Sequence, residues 1–156
     1  MTISLVVRRT IRASPTRLFE AWTTPELLVQ WWGPKGVRCS HAEIDLRVGG
    51  QLRIANELPD GRTLWILGEL LELVPGVRLV YTWRTEPARP EAGVEERVTV
   101  RFEARGDDET EVIVVHERIA DEQTRSGHAL GWEGCLAGLD TWSARGCVRV
   151  LPLDVP

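Results

Sequence analysis

Three histidines and three cysteines are the side chains of this 156-residue sequence best suited to nucleophilic, acid–base or metal chemistry: His41, His116 and His128, and Cys39, Cys135 and Cys147. Cys39 and His41 stand two apart in a strand-like stretch, so they share a face and could touch, as an activated thiol and its base must. No surrounding motif marks either for that role. A structural zinc site wants four ligands arranged in close pairs such as Cys-x-x-Cys. Cys39-x-His41 is the only close pair and has no second pair to join, so neither a metal nor another cofactor is expected, and no residue is assigned as catalytic. Glu69 and Glu72 interrupt an apolar run, and their odd separation puts them on opposite faces of a regular strand. One of them could then point inward with a raised pKa. The plainer alternative has one in solvent and the other at the strand end near Pro75. His116 shares parity with Thr110, Val112 and Val114, which should be the inner face of the last strand. His128 lies on the apolar stripe of a helix. The two histidines could give an apolar pocket its polar anchors, or could be hydrogen-bonded within the core or at its rim. Asp45 and Arg47, with Arg53 across a turn, read as exposed charges worth under about 1 kcal/mol.

The helix that would position His128 spans about 121–145. His128, Trp132, Cys135, Leu139 and Trp142 follow a 4-3-4-3 spacing along it, which sets them on one side, and Leu136 widens that stripe. Gly127, Gly131, Gly134 and Gly138 repeat the spacing one position earlier, roughly 100° round. Glycine inside a helix costs about 0.8–1 kcal/mol relative to alanine, so four of them require a tertiary reason. Either another backbone comes very close along that flank, or space is left there for something that is not protein.

The remaining elements are mostly strands. Residues 2–12 are rich in Val and Ile. Ser14-Pro15 and Thr24-Pro25 each give an N-cap followed by proline at the first helical position. They start two short helices with apolar sides Leu18, Phe19 and Trp22, then Leu27, Leu28, Trp31 and Trp32, and Gly33-Pro34 stops the second. From 39 to 118 the period is two. Ile44, Leu46 and Val48 alternate with charged residues up to a Gly49-Gly50 turn, and Leu52 and Ile54 follow. Turns at Pro59-Asp60-Gly61 and Pro75-Gly76 bound a strand over 63–73 that is apolar on both faces. Leu79, Tyr81 and Trp83 alternate next, a polar loop covers 87–93, and Val98, Val100 and Phe102 alternate before the acidic turn 106–109. A last strand runs over 110–118. The apolar tail 148–156 is not placed. The order is strand, two helices, a meander of about six strands and one long helix, an α+β arrangement. A curved antiparallel sheet wrapped on the C-terminal helix would leave a space between them.

Composition sets the outer limits. A chain of this length supports one domain, 1–156, with a core that needs no disulfide or metal. Seven Trp against two Phe and one Tyr give large apolar surfaces, each with one N–H, suited to pockets and interfaces as well as cores. A net charge of −4 without a basic cluster argues against a nucleic-acid partner. The opening apolar run is too short for a signal peptide and nothing approaches a membrane span, so a cytoplasmic protein without membrane insertion is expected.

The order of elements resembles the helix-grip fold of START-like (SRPBCC) proteins, in particular the subgroup of the C-terminal domain of the activator of heat shock protein 90 ATPase. The resemblance rests on Ser-Pro-Thr-Arg-Leu-Phe-Glu-Ala-Trp at 14–22, Gln-Trp-Trp-Gly-Pro at 30–34, Asp-Leu-Arg-Val-Gly-Gly at 45–50, Leu-Val-Tyr-Thr-Trp at 79–83 and Gly-Trp at 131–132. It implies a deep apolar cavity holding a hydrophobic small molecule, a lipid or an aromatic compound. Trp31, Trp65, Tyr81, Trp83, Trp132 and Leu136 would line it, with His116 and His128 as anchors. Binding without catalysis is the expected function. The alternatives are a cyclase/aromatase-like enzyme using the same cavity and a co-chaperone-like interaction protein of the stress response. The eukaryotic activator's separate chaperone-binding domain finds no room here, so a chaperone partner is not expected. A homodimer stays open.

Overall fold

The computed structural model describes residues 2–34, 36–87 and 95–150, with side chains described as far as Arg145. The polar loop expected at 87–93 lies, beyond Pro87, outside these residues, as do the end of the tail and the side chain of Cys147. Among the described residues ten elements follow one another: β1 (Ile3–Ile11), α1 (Pro15–Thr23), α2 (Pro25–Trp31), β2 (Arg38–Ile44), β3 (Gln51–Glu57), β4 (Thr63–Val74), β5 (Arg78–Glu86), β6 (Glu96–Gly106), β7 (Glu109–Ile119) and α3 (Glu122–Val150). The strands form one curved antiparallel sheet in the order β1-β7-β6-β5-β4-β3-β2. A meander runs from β2 to β7, and β1 closes against its last strand.

Local signals set most boundaries. The Ser14 hydroxyl accepts from the Arg17 backbone N–H at 3.2 Å and Pro15 opens α1, a capped start that satisfies one of the free N–H groups of the first turn. Thr24 caps α2 by position only, without a side-chain hydrogen bond. Gly33 takes φ of 123°, a left-handed conformation that turns the chain sharply after Trp32. The strand expected to run on through Leu46 and Val48 instead ends at Ile44. Both side chains lie exposed, at 52% and 63%, because residues 45–50 fold into a turn closed by hydrogen bonds from Arg47 to Asp45 and from Gly50 to Arg47.

Bulges decide which side chains face inward, and period-two reading does not see them. The register of β4 against β5 shifts between Leu70 and Glu72. The extra residue brings Glu69 and Glu72 to the same solvent face, where Glu72 pairs with Arg78 at 2.9 Å. Neither carboxylate points into the interior. A second shift, between Cys39 and His41 in β2, separates that pair: Cys39 turns into the core while His41 stays exposed on Glu43 at 2.6 Å. The Cys39 thiol reaches only the His41 carbonyl, at 3.5 Å, and burial raises its pKa.

The core lies between the concave face of the sheet and the three helices. Trp132, Cys135, Leu136, Leu139 and Trp142 of α3 are all buried in it, as their spacing predicts. Five of the seven tryptophans, Trp22, Trp31, Trp32, Trp83 and Trp132, form one cluster in which each ring centroid lies 4.9–6.1 Å from a neighbour. Edge-on and offset contacts of this kind add to the burial of so much apolar surface. The α3 helix packs chiefly over β1 and β7 and against α2, and Trp142 ties it down by donating to Gln30 Oε1 at 2.9 Å beneath the Arg17 guanidinium. Among the described residues no helix is long and apolar enough to cross a membrane.

Candidate functional site

Because α3 sits over the β1–β7 side, the β3–β5 side of the concave face is left uncovered near the start of the helix, and a cavity of about 240 Å³ opens there. Its walls come from every layer. Asn56 of β3, Leu64 and Ile66 of β4, and Trp83 and Thr85 of β5 form the floor. Trp32 and Pro34 close one side, and Gly127, His128, Gly131, Trp132 and Cys135 of α3 form the roof. The glycine flank of the helix divides in two. A Cβ on Gly138 would stand 2.4 Å from the Trp31 carbonyl oxygen, whereas one on Gly127 or Gly131 would meet nothing within 4 Å. Gly138 therefore admits another backbone, and Gly127 and Gly131 border open space.

A chain of hydrogen bonds runs behind the cavity wall. Glu96 begins β6 on the same face as Val98, Val100 and Phe102, and it is 5% exposed. Its Oε1 lies 2.7 Å from His116 Nε2 and 2.9 Å from His128 Nε2. Trp132 in turn donates its indole N–H to His116 Nδ1 at 2.9 Å. The two imidazoles stack, with centroids 4.3 Å apart and planes at 18°, and Trp83 lies edge-on to both. An indole nitrogen can only donate, so His116 must accept at Nδ1 and carry its proton on Nε2, which donates to the carboxylate. Burial pushes the Glu96 pKa up, but the hydrogen bonds from His116 and His128 outweigh it and bring the pKa down to about 2. Glu96 is thus a buried carboxylate held ionised by two imidazoles.

Glu96, His116 and His128 bring three ligand atoms within 4.8 Å of one another, a set that a divalent ion could in principle use. The indole opposes it. A metal on His116 Nε2 would drive the ring proton to Nδ1, head-on against the Trp132 N–H, whereas metal-bound histidines place an acceptor at that position. The donor set fits the holding of protons better than the holding of an ion.

Of the residues the sequence singles out, Trp83, His128 and Trp132 line the cavity. His116 lies behind them, fully buried. Tyr81 and Leu136 are buried in the core, and Trp31 is committed there by donating to the Ala21 carbonyl at 3.0 Å. Trp65 faces the opposite side of the sheet, under the Arg53 guanidinium at 4.6 Å and beside His41. Arg53 stacks there and approaches Glu43, while Arg47 pairs with Asp45 at the surface. Cys135 faces the cavity, but burial pushes its thiol up to about 12, far from the thiolate that a nucleophile requires. Glu96 is not among the residues the sequence singles out, although its parity with Val98 and Val100 is a readable sign of a carboxylate turned inward. Nor is Asn56, whose side-chain oxygen is buried without a hydrogen-bond partner among the described residues.

A curved antiparallel sheet gripping a long C-terminal helix, with two short helices after its first strand and a cavity beneath the grip, defines a helix-grip protein of the START-like class. The chain belongs to the family described as Activator of Hsp90 ATPase homolog 1-like protein, whose model matches residues 12–143. Among solved structures it is similar to protein CV1439 from Chromobacterium violaceum, with 29% identity over 88% of this chain and 94% of that one, at a TM-score of 0.79. Protein NE0264 from Nitrosomonas europaea shares the fold at 21% identity, covering 94% and 97% of the two chains with a TM-score of 0.78. CalU16 from Micromonospora echinospora does so at 23% identity, covering 94% and 80%, with a TM-score of 0.69. No curated protein matches the chain.

Proposed function

We propose that this protein binds a hydrophobic, ring-bearing small molecule in the cavity between the β3–β5 side of the sheet and α3. The observation that carries the reading is the pair Gly127 and Gly131, which face open space along a helix that alanine would stabilise. Around that space stand Trp32, Trp83, Trp132, Leu64 and Ile66, with His128, Asn56 and Thr85 as the few polar groups, a composition typical of small-molecule sites. Its volume falls just below the usual range of roughly 300–1,000 Å³, which favours a compact ring system over a sterol or a long acyl chain. A net charge of −4 supports a small molecule over nucleic acid as partner, in a cytoplasmic protein.

Native mass spectrometry of the purified protein should show a co-purified mass in the range of a few fused rings. A library of compact aromatics, flavonoids, fatty acids and sterols should raise the melting temperature for the compact aromatics above all. Saturation at 100 times the dissociation constant corresponds to about 2.7 kcal/mol. No thermal shift across the library, and no co-purified mass, would sink the reading. A second reading, acid–base chemistry in the same cavity, is favoured by one observation: the Glu96–His128 contact sets a carboxylate behind an imidazole that lines the space, the arrangement in which a base is oriented by its neighbour.

A further inference from the structure

His128 differs from its partner in what it has left to offer. Both rings give Nε2 to Glu96 Oε1, and since an ionised carboxylate only accepts, each Nε2 must bring a proton. His116 is then fully used, because Trp132 already donates to its Nδ1. His128 Nδ1 has no partner among the described residues. The His128 side chain is 14% exposed and the residue lines the cavity. In the neutral ring the single proton is then on Nε2, and Nδ1 keeps a lone pair, an acceptor on an oriented imidazole backed by a buried carboxylate.

We infer that His128 is the polar anchor of the cavity and that its ligand is a phenol or enol, a flat conjugated molecule whose hydroxyl bonds to Nδ1 and passes its proton there. The inference rests on the cavity-binding reading and names its ligand class. In the transfer the ligand O–H bond breaks, the electron pair stays on oxygen, and an N–H bond forms at Nδ1. The site begins as carboxylate, neutral imidazole and neutral ligand, and ends as carboxylate, imidazolium and ligand anion. Its net charge is unchanged, and Glu96 faces the new cation through the Nε2–H.

The walls narrow the class. Trp32, Trp83 and Trp132 present indole surfaces, which select flat rings. Among the described residues no lysine or arginine lines the cavity, so a ligand arriving as a carboxylate or phosphate would find no cation among those walls to offset its charge. An aliphatic alcohol is too weak an acid to give up its proton. A phenol or enol arrives neutral and becomes an anion only as His128 becomes a cation. Asn56, 6% exposed and with its Oδ1 unpartnered among the described residues, lines the same space, so a second hydroxyl on the ligand has an acceptor available.

Matched pairs test this: naphthol against methoxynaphthalene by calorimetry, and para-nitrophenol against para-nitroanisole with the absorption spectrum recorded as well. Each phenol should bind at least about tenfold tighter than its methyl ether, the scale of a hydrogen bond to a charge-backed partner. Bound para-nitrophenol should show its phenolate band at a pH where the free compound is neutral. In His128→Phe and His128→Gln the preference for phenol over ether should shrink to within about twofold, whatever the absolute affinities. Equal binding of phenol and ether by the natural protein would overturn the anchor while leaving the cavity reading standing. A preference that survives both His128 variants would also overturn it. A preference without the phenolate band would overturn the proton transfer. If neither member of either pair bound, the cavity reading would fall and the anchor with it.

Discussion

At the scale of single residues, the site turns on the Trp132 N–H that His116 Nδ1 accepts. Trp132→Phe keeps a ring in the cavity wall but removes the donor to the buried His116 Nδ1. Losing that bond should cost about 1–3 kcal/mol, read by urea unfolding, and nitrogen NMR should show the His116 Nδ1 resonance move as its donor goes, while Glu96 keeps the proton on Nε2. Retention of both the stability and the Nδ1 resonance would show that the indole does not hold the ring. Glu96 governs the acid limit. Its pKa is lowered in the fold from an ordinary 4.5 to about 2, so its contribution is present in full above pH 4.5 and fades as pH falls toward 2. That contribution is on the order of 3 kcal/mol. The stability of Glu96→Gln should be lower at neutral pH and flatter across that window, and an unchanged acid profile would remove Glu96 from its place as the stabilising carboxylate. Little of this was legible in the sequence. Parity put His116 inside and helical spacing put His128 beside the cavity, but which side chains would meet them depended on β6, β7 and α3 converging. Contacts between residues so far apart leave no local pattern.

At the scale of elements, α3 makes the clearest test, because one flank serves two purposes. Gly131→Ala adds a methyl to open space and should stabilise the helix by up to about 1 kcal/mol, while Gly138→Ala drives a Cβ to 2.4 Å from the Trp31 carbonyl and should destabilise by about 1–3 kcal/mol. Thermal unfolding of the two variants gives opposite signs if the geometry holds. Gly131→Leu goes further and fills the cavity, so its ligand affinity should fall more than its stability. Helix starts and turns were readable here because their signals are local: Ser14-Pro15, Thr24-Pro25, Gly33-Pro34 and Pro75-Gly76 each act within a few residues. The bulges at Cys39–His41 and Leu70–Glu72 were not readable. An inserted residue reverses the facing of all that follows, and a run that is apolar on both faces gives no sign of where it sits.

At the scale of the whole molecule, the cavity follows from coverage: three helices do not span a seven-stranded sheet, and the shortfall lies under the first turns of α3. Unfilled space makes a folded protein compressible, and unfolding under pressure is favoured in proportion to the voids it eliminates. The ligand-free protein should therefore unfold at lower pressure than Gly131→Leu, measured by high-pressure NMR, even where the two match in urea. Equal pressure midpoints would mean that the space is already filled. The tryptophan cluster has an optical consequence. Five indoles whose centroids lie 4.9–6.1 Å from a neighbour are close enough to share electronic excitation, so light absorbed by one is emitted from whichever lies lowest in energy. Trp32, Trp83 and Trp132 of that set also wall the cavity. A guest there would alter the emission of the whole group, and the protein's intrinsic fluorescence would report occupancy without any label.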